Sequence, residues 1–286
     1  MRLLEHSTLL ERRPDTFNLY CIGDIHIGSV NCHYDEFLAS IREIEEDDNC
    51  GVIVMGDVID AIGTADPRYT IEGIDSRFTG QKALRNLPRA QCDYAIQHFS
   101  RIREKVVMWL SGNHEAKVKK HSARAGYEID PTEYMCDALG VADKNVDYVG
   151  CLRWEFRAEN APKKGPDVLT LVAQHGFGGG RLKGGKLNNM DKALNSVEAD
   201  AFFMGHTHEL LASRKVRNKI DKVNGEMRHD AHDMLMVNTG TFLKTYESST
   251  EYKASEYGEV YMFEPTHIGM ARCIIYPKRK MVRALI

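Results

Sequence analysis

Five short apolar runs occur along the chain, and a polar motif directly follows each of them. The runs cover residues 19–22, 52–55, 106–110, 169–173 and 201–204. Apolar runs of this length, bounded by polar residues, predict buried β-strands. Because the ends of neighbouring strands open on a common crevice, we expect the polar side chains that follow the runs to meet there.

Between the first three runs, apolar residues repeat at helical spacing. The two amphipathic sets are Phe37, Leu38, Ile41 and Ile44, and Ala95, Ile96, Phe99 and Ile102. This spacing predicts one helix in each segment, and Asp35 is placed to cap the first of them. Two successive strand–helix units followed by a strand favour parallel pairing. The N-terminal half is therefore predicted to be α/β.

The C-terminal half is predicted to contain more strand. Asp130 is a capping residue, followed by Pro131 at the first helical position and by Glu133 three residues after the cap, so a helix should run to about Gly140. Further strands are predicted at residues 148–156, 168–173, 234–238, 260–263 and 274–276, with a polar turn at 159–166. We expect one domain over residues 1–286, because the polar motifs span most of the chain and must converge.

Composition narrows the class of protein. The chain has 286 residues, 43% hydrophobic and 28% charged, with a formal net charge of −3, which is typical of an ordinary globular protein. The seven cysteines are scattered without a Cys-x-x-Cys pair, which indicates reduced thiols. No run approaches the roughly 18 apolar residues that span a bilayer, and the N-terminus lacks the apolar core of a signal peptide. A cytoplasmic protein with no membrane partner is therefore expected.

The five polar motifs contain oxygen and imidazole donors and no thiolate. They are Asp24-Ile25-His26, Gly56-Asp57-Val58-Ile59-Asp60, Gly112-Asn113-His114-Glu115, Gln174-His175-Gly176 and Gly205-His206-Thr207-His208. Such donors suit manganese, iron, zinc, magnesium or nickel ions rather than a structural, cysteine-rich zinc site. The two carboxylate oxygens of Asp57 can bridge two cations about 3.5–4 Å apart. Together the motifs predict a two-metal phosphoesterase site.

Two residues of these motifs have predicted catalytic roles. His114 is adjacent to Asn113 and is not needed as a metal ligand, so it can protonate the leaving oxygen. Asp60 can accept a hydrogen bond from His114 and stabilise the imidazolium. One such motif alone is more often a turn with a solvated polar pair, but five of them at successive strand ends argue against coincidence.

At these residues the chain resembles the calcineurin-like metallophosphoesterase family, whose ordered signature matches residues 24–208. The resemblance implies an α/β fold built as a four-layer α/β/β/α sandwich, with two mixed β-sheets flanked by helices. It also implies two divalent metal ions, with manganese as the first choice and iron, zinc, nickel or magnesium as alternatives. The implied ligands are Asp24, His26, Asp57 and His208 for one ion, and Asp57, Asn113, His175 and His206 for the other.

His114 matches the catalytic histidine of the same family. Residues 237–241, Val-Asn-Thr-Gly-Thr, look like the Asn-Pro-Gly-Ser segment of the family with threonine in place of proline. This departure leaves the five main motifs intact.

Three groups of basic residues adjoin the motifs and could form a rim that binds a polyanion. They are Lys117, Lys119, Lys120, His121 and Arg124; Arg68, Arg77, Lys82, Arg85 and Arg89; and Arg181, Lys183 and Lys186 in a glycine-rich stretch. From them we select Lys117, Lys120, Arg181 and Lys183 as candidate substrate-binding residues. A solvated basic face is the competing interpretation of these charges.

Three hypotheses follow for the function. The first is a phosphodiesterase or nuclease that hydrolyses nucleic acid or nucleotide phosphodiesters by attack of a metal-bridging hydroxide. The second is a phosphomonoesterase that acts on nucleotides or phosphoproteins, because one such site can cleave both ester types. The third is a binding scaffold that has kept the fold and lost turnover. The expected partner is a phosphate ester, with DNA, RNA and nucleotides as candidates, and the oligomeric state is left open, a homodimer included.

Overall fold

In the computed structural model, the strands among the described residues join into one large mixed β-sheet with helices packed beside it. The structure describes residues 1–12, 15–63, 66, 69–126, 129–178, 182–223, 226–246, 262 and 264–286. The strands are β1 (Arg2–Leu10), β2 (Phe17–Ile22), β3 (Cys50–Val54), β4 (Val106–Trp109), β5 (Val149–Ala158), β6 (Asp167–Gln174), β7 (Ala201–Met204), β8 (Leu210–Val223), β9 (Glu226–Thr241), β10 (Gly269–Tyr276) and β11 (Met281–Leu285). The helices are α1 (Tyr34–Glu46), α2 (Gln81–Leu84), α3 (Leu87–Phe99), α4 (Asn113–Arg124), α5 (Pro131–Leu139) and α6 (Lys183–Leu194).

The strand order is β1-β5-β6-β7-β9-β10-β2-β3-β4, with β8 paired to β9 and β11 paired to β10. Strands β2, β3 and β4 pair in parallel, which confirms the expectation for the N-terminal half. Strands β9 and β10 pair only through Gly269 with Thr241 and Met270 with Gly240 among the described residues. The two sheets that we expected are therefore joined by this short pairing into one hydrogen-bonded path.

Three apolar clusters hold the layers together. In the first, Phe37 of α1 and Phe99 of α3 pack with Trp109 at the end of β4. The second contains Leu19 of β2 together with Trp154 of β5, so it joins the two halves of the sheet path. The third contains Met190 of α6 with side chains of β6, β7 and β9. Burial of each large apolar side chain stabilises the fold by about 1.5–3 kcal/mol relative to its exposure.

The helix boundaries test the predicted caps. Helix α1 begins at Tyr34, and the ring of His33 accepts a hydrogen bond from the Glu36 N–H at 3.2 Å, so the prediction that Asp35 caps this helix was wrong. Asp35 lies instead in the first turn, where its negative charge interacts favourably with the helix dipole. Helix α5 has Asp130 as its cap and ends at Gly140, whose φ is 73°, so this prediction is confirmed.

Several elements were not predicted from the sequence. They are β1, β8 and β11 at the edges of the sheet, and α4 and α6 beside the site. The glycine-rich stretch was expected to be a loop, but its last part, Gly184 to Lys186, lies in α6. The strand predicted at residues 260–263 falls outside the described residues except for Met262, which is in a turn. None of the helices described here has both the length and the apolar character to cross a bilayer.

Candidate metal centre

The five polar motifs meet at the ends of β2, β3, β4, β6 and β7, and backbone hydrogen bonds connect their loops. The N–H of Asp24 donates to the carbonyl of Gly56 at 2.9 Å, and the N–H of His206 donates to the Asp24 carboxylate at 2.9 Å. The N–H of His114 donates to Asp57 Oδ1 at 2.9 Å. Each motif therefore helps to position another that is distant in sequence.

The first group of potential metal donors contains Asp24, His26 and His208, whose donor atoms all lie within 4.8 Å of one another. His26 Nε2 is 3.2 Å from His208 Nε2, and His208 Nε2 is 3.5 Å from Asp24 Oδ1. Asp24 and His26 are buried, whereas His208 is partly exposed. The group thus has one side open to solvent.

The second group contains Asp57, His175 and His206, again within 4.8 Å. His175 Nε2 is 3.3 Å from Asp57 Oδ2, and Asn113 Oδ1 is 2.7 Å from His206 Nδ1 and 3.2 Å from His175 Nε2. Asp57 also forms a third group with His26 and His114. The carboxylate of Asp57 therefore lies between the first and second groups.

A contact at Nδ1 fixes the ring orientation of both His175 and His26. Because a carbonyl oxygen only accepts, His175 Nδ1 must carry the proton that it shares with the Met55 carbonyl at 2.7 Å, and this leaves Nε2 free to face Asp57. His26 Nδ1 lies 3.3 Å from Asp60 Oδ1, which leaves His26 Nε2 to face His208. Such outer partners are typical of metal-binding histidines.

The donor set fits divalent cations. Burial lowers the pKa of His26, but the hydrogen bond with Asp60 and the nearby carboxylates raise it above its ordinary value. In the neutral ring, a proton on Nδ1 toward Asp60 would leave a lone pair on Nε2, 3.2 Å from a ring nitrogen of His208. Two buried carboxylates, Asp24 and Asp57, add negative charge to the same small volume. Nitrogen and oxygen donors without thiolate suit Mn, Fe, Zn, Mg or Ni ions, and a cation between them removes the repulsion among the lone pairs.

The backbone of the predicted ligands is strained. Five of the seven adopt the left-handed region that non-glycine residues rarely occupy: Asp24 (φ 47°), His26 (φ 55°), Asp57 (φ 46°), His206 (φ 65°) and His208 (φ 52°). Each such residue costs on the order of 1–3 kcal/mol, and such strain is concentrated at functional sites. The rest of the fold must offset this cost to keep the donors in place.

In the second group, the opposite charges of Asp57 and His175 shift each other's pKa. Burial raises the pKa of Asp57, but the charge and hydrogen bond of His175 outweigh it and hold this pKa well below its ordinary value. Burial lowers the pKa of His175, but the Asp57 carboxylate raises it, to a net value of about 10. For His114, burial prevails and its pKa is lowered. Asp57 is therefore an ionised carboxylate at neutral pH.

Asp60 contacts His114 mainly through its backbone carbonyl, whereas we expected its side chain to accept a hydrogen bond from His114. The Nδ1 of His114 lies against the backbone carbonyl of Asp60, whereas the Asp60 carboxylate is 3.7 Å from His114 Nδ1 and closer, at 3.3 Å, to His26 Nδ1. The N–H of Asp60 donates to the carbonyl of Ile27 at 2.9 Å, which holds Asp60 alongside the His26 loop. The side chain of Asp60 is therefore placed to orient His26, and its main chain to orient His114.

Glu115 is a site residue that the sequence analysis left without a role. Its buried carboxylate accepts backbone hydrogen bonds from four residues, namely Asp57 (3.1 Å), Val58 (2.8 Å), Ile59 (3.1 Å) and Gly112 (2.9 Å). Burial and the charge of Asp57 raise the pKa of Glu115 to about 7, although these N–H donors oppose the shift. The only signal in the sequence was the position of Glu115 three residues after Gly112, which is typical of helix N-termini.

The four candidate substrate residues occupy different surroundings. Lys117 lines a cleft beside His114, whereas Lys120 is absent from the described lining of that cleft. Lys183 Nζ lies 3.5 Å from the carboxylate of Glu209, and Arg181 lies outside the described residues.

Other members of the three basic groups have partners of their own. Arg77 pairs with Asp75 at 3.0 Å and Arg89 with Asp93 at 3.1 Å, while Arg68 lies outside the described residues. Lys186 and Glu209 form a buried ion pair at 2.9 Å that the sequence analysis did not predict. The basic residues that adjoin the motifs are therefore only in part available to a substrate.

The calcineurin-like phosphoesterase family matches residues 17–210, a span that contains all seven predicted metal ligands, and the chain belongs to this family. No curated protein matches the chain. Among solved structures, a metallophosphoesterase from Sphaerobacter thermophilus shares 10% identity over 94% of this chain and 89% of that one, with a TM-score of 0.39. Vacuolar Protein Sorting 29 from Cryptosporidium parvum shares 12% identity over 94% of this chain and 96% of that one, with a TM-score of 0.36.

Proposed function

We propose that this protein is a phosphodiesterase that depends on two divalent metal ions and acts on nucleic acid or nucleotides. The observation that carries the proposal is the position of Asp57 between two groups of donors, Asp24, His26 and His208 on one side and His175 and His206 on the other. A carboxylate in that position can bind two cations at once. Membership of the calcineurin-like phosphoesterase family supports a hydrolase of phosphate esters.

The two ions would be held by the two sets of side chains predicted from the sequence. These are Asp24, His26, Asp57 and His208 for one ion, and Asp57, Asn113, His175 and His206 for the other, with manganese as the first choice. When bound, such ions polarise the phosphoryl group and lower the pKa of water to near neutrality. Asn113 contributes a neutral oxygen, which limits the negative charge that an approaching phosphate meets.

His114 and Asp60 supply the remaining chemistry. The Nδ1 proton of His114 is held by the Asp60 carbonyl, so Nε2 is the nitrogen that can exchange a proton with a substrate. We assign to the imidazolium form of His114, which burial disfavours and the negative charges of Asp57 and Asp60 favour, the transfer of a proton to the leaving oxygen. We assign to Asp60 the positioning of His114 through its carbonyl and of His26 through its carboxylate. His114 is buried, which keeps this proton away from bulk water.

The space next to His114 can accommodate the leaving group of a phosphodiester. A cleft of about 500 Å³ begins at His114 and Asp60 and is lined in part by Lys117. A diester carries a group on each side of phosphorus, and a cleft of this size accommodates the group that departs. The competing proposal is a phosphomonoesterase, for which phosphorus carries one such group.

Hydrolysis of a substrate panel tests the proposal. The purified protein, loaded with Mn²⁺, should hydrolyse bis-p-nitrophenyl phosphate, and single-stranded DNA, RNA and cyclic dinucleotides should be assayed beside it. Activity on p-nitrophenyl phosphate alone would establish the phosphomonoesterase instead. Absence of hydrolysis with two metal equivalents bound would support the binding scaffold. The Asp57→Ala variant is the negative control for contaminating activity.

Three structural expectations are carried forward as proposals. The three apolar clusters support a four-layer α/β/β/α arrangement, with α1, α3 and α5 on one outer side and α6 on the other. The contact of Leu19 with the cluster that includes Trp154 supports a single domain over residues 1–286. Seven free thiols, six of them buried, support a cytoplasmic location.

A further inference from the structure

A cleft of about 500 Å³ lies between helix α4 and the segment that precedes α3. His114 and Asp60 line its inner end, so the cleft adjoins the predicted catalytic pair rather than standing apart from it. Its volume is within the range of pockets that bind small molecules, about 300–1,000 Å³. The predicted metal ligands are not among its described lining residues.

One face of α4 forms a wall of this cleft. His114, Lys117, Val118 and His121 all line it, and they recur every three or four residues along one side of the helix. At 1.5 Å per residue, Lys117 lies ~4.5 Å and His121 ~10.5 Å beyond His114 along the helix axis. Lys117 therefore places a cation one turn of the helix beyond His114.

The opposite wall is largely apolar. Leu84 of α2 and Leu87 of α3 line the cleft there, whereas Ile129, whose N–H donates to Ser122 Oγ of α4 at 2.9 Å, adds an apolar side chain beside α4. Leu84 is 39% exposed and Ile129 is 38% exposed, although aliphatic side chains of this size are usually buried. These surfaces suit a flat, weakly polar group better than a peptide backbone or a bare sugar.

The charge of the cleft is suited to an anion. Lys117 and Arg85 are exposed and line it, and neither has a carboxylate partner among the residues that the structure describes. Asp60 and Asp66 also line the cleft, and the carboxylate of Asp60, at the inner end, is already in contact with His26. By contrast, Lys119 of the same helix pairs with Asp130 at 2.8 Å. An anionic group in the cleft would thus meet cations that are free to bind it.

We propose that this cleft binds the leaving group of the substrate, and that this leaving group is a nucleoside bearing a further phosphate. Its base lies between Val118 and the apolar wall, and its phosphate contacts Lys117 and Arg85. In the reaction, water adds its oxygen to phosphorus as the bond from phosphorus to the leaving oxygen breaks. The leaving oxygen takes a proton from His114, and the one proton that water releases returns to His114. The inference rests on the proposed function and specifies its substrate class.

Binding to the metal-free protein tests the cleft without relying on catalysis. The full chain, in the presence of a chelator, is titrated with adenosine 5′-monophosphate and with ribose 5-phosphate, which lacks the base. We expect the nucleotide to bind at least tenfold more tightly, because only the nucleotide can fill the apolar part of the cleft. Equal affinities for the two ligands would overturn the proposal.

Two matched pairs of variants locate the binding. Val118→Trp fills the cleft, whereas Ala123→Trp adds the same ring at an exposed position of α4 that is not part of the cleft lining. Lys117→Ala removes a cation from the cleft, whereas Lys192→Ala removes an exposed lysine of α6, which is not part of the cleft lining. We expect Val118→Trp to weaken nucleotide binding more than tenfold and Lys117→Ala about fivefold, with both controls within twofold of the wild type.

The lysine pair keeps the test valid if Val118→Trp does not fold, because exposed lysines tolerate truncation. Equal effects of Lys117→Ala and Lys192→Ala would contradict the assignment of the phosphate contact. Hydrolysis of bis-p-nitrophenyl phosphate with Mn²⁺ separates the two proposals. An active enzyme without preference for the nucleotide refutes the cleft assignment alone, whereas selective nucleotide binding without hydrolysis refutes the proposed function alone.

Discussion

The carboxylate of Glu115 accepts a hydrogen bond from the backbone N–H of Asp57 at 3.1 Å; Glu115 lies in the first turn of α4, after β4, whereas Asp57 lies in the loop after β3. The same carboxylate also accepts from Val58, Ile59 and Gly112. One buried side chain thus holds the turn that places Asp57 between the two donor groups. The left-handed backbone of Asp57, with φ at 46°, is maintained by contacts of this kind.

Glu115→Ala should therefore destabilise the protein and reduce its metal content. Four buried N–H groups would lose their acceptor, and an unsatisfied buried donor costs about 1–3 kcal/mol. We expect the free energy of unfolding in urea to fall by ~3 kcal/mol or more. The matched control is Glu133→Ala, because Glu133 occupies the equivalent third position of α5 but is exposed. Similar losses in the two variants would show that Glu115 acts only as a helix-terminal charge.

Gly112→Ala should disturb the site by a steric clash, without backbone strain. The backbone at Gly112 is extended, with φ at −101°, so alanine is conformationally acceptable there. Its Cβ would nevertheless lie 2.1 Å from Asp57 Oδ1 and 2.2 Å from Asp57 N. We expect loss of at least one metal equivalent by elemental analysis and a fall in hydrolysis of more than tenfold.

Gly184→Ala in α6 is the control for that substitution. A Cβ at Gly184 meets no atom within 4 Å, and alanine stabilises a helix by up to about 1 kcal/mol relative to glycine. Metal content and activity of this variant should equal those of the wild type. Full metal loading of Gly112→Ala would show that the two loops can separate without loss of the donors.

Asp57→Ala and His114→Ala should have different effects on metal binding. Removal of Asp57 takes away the only carboxylate shared by the donor groups, so we expect loss of both ions. His114→Ala should keep two equivalents and slow the hydrolysis of esters with poor leaving groups more than that of p-nitrophenyl esters, because poor leaving groups need the proton. Loss of metal from the His114 variant would instead identify His114 as a ligand.

The parts of the fold that could be predicted are those in which local pattern and tertiary environment agree. Strand β2 is buried on both faces, since Leu19 and Tyr20 pack in different clusters, and its residues 19–22 are continuously apolar as a result. Helix α5 contains its own start and stop signals in Asp130 and Gly140. Strand β8 was missed because it pairs only with β9 and carries exposed residues such as Val216, so it shows no apolar run.

The sequence predicts which side chains form the site, but it does not predict the hydrogen bonds that position them. Each motif predicts a donor side chain at the end of a strand, because an apolar run followed by polar residues is visible in the local sequence. The four bonds of Glu115 depend on how the loop after β3 folds against the start of α4, and no local pattern contains that information. The same holds for Asp60, whose carboxylate faces His26 because its backbone is bonded to Ile27.

Lys186→Ala should destabilise the part of the fold beside His208. Glu209 directly follows His208, and its carboxylate is buried against Lys186 at 2.9 Å. Removal of one partner of a buried pair typically costs about 3–5 kcal/mol, because the other charge is left without compensation. Lys183, at 3.5 Å from the same carboxylate, offsets part of this cost, so we expect ~2–3 kcal/mol by urea denaturation.

Lys192→Ala is the control on the same helix, since Lys192 is exposed. A double-mutant cycle with Glu209→Gln should give a coupling energy above ~1 kcal/mol. A coupling near zero would mean that the pair contributes packing rather than charge interaction.

Removal of metal should lower the melting temperature of the wild type. The donor groups hold Asp24 and Asp57 close together in a buried environment, and cations that bind only the folded state stabilise it by mass action. At a free metal concentration 100 times the dissociation constant, one site contributes about 2.7 kcal/mol. Two such sites contribute about 5 kcal/mol, so for a chain of this size the expected fall on chelation is ~10–20 °C, as measured by calorimetry with and without chelator. Asp57→Ala, which should bind no metal, should melt at the same temperature in both conditions, and a chelator effect of wild-type size in that variant would place the stabilising ion elsewhere.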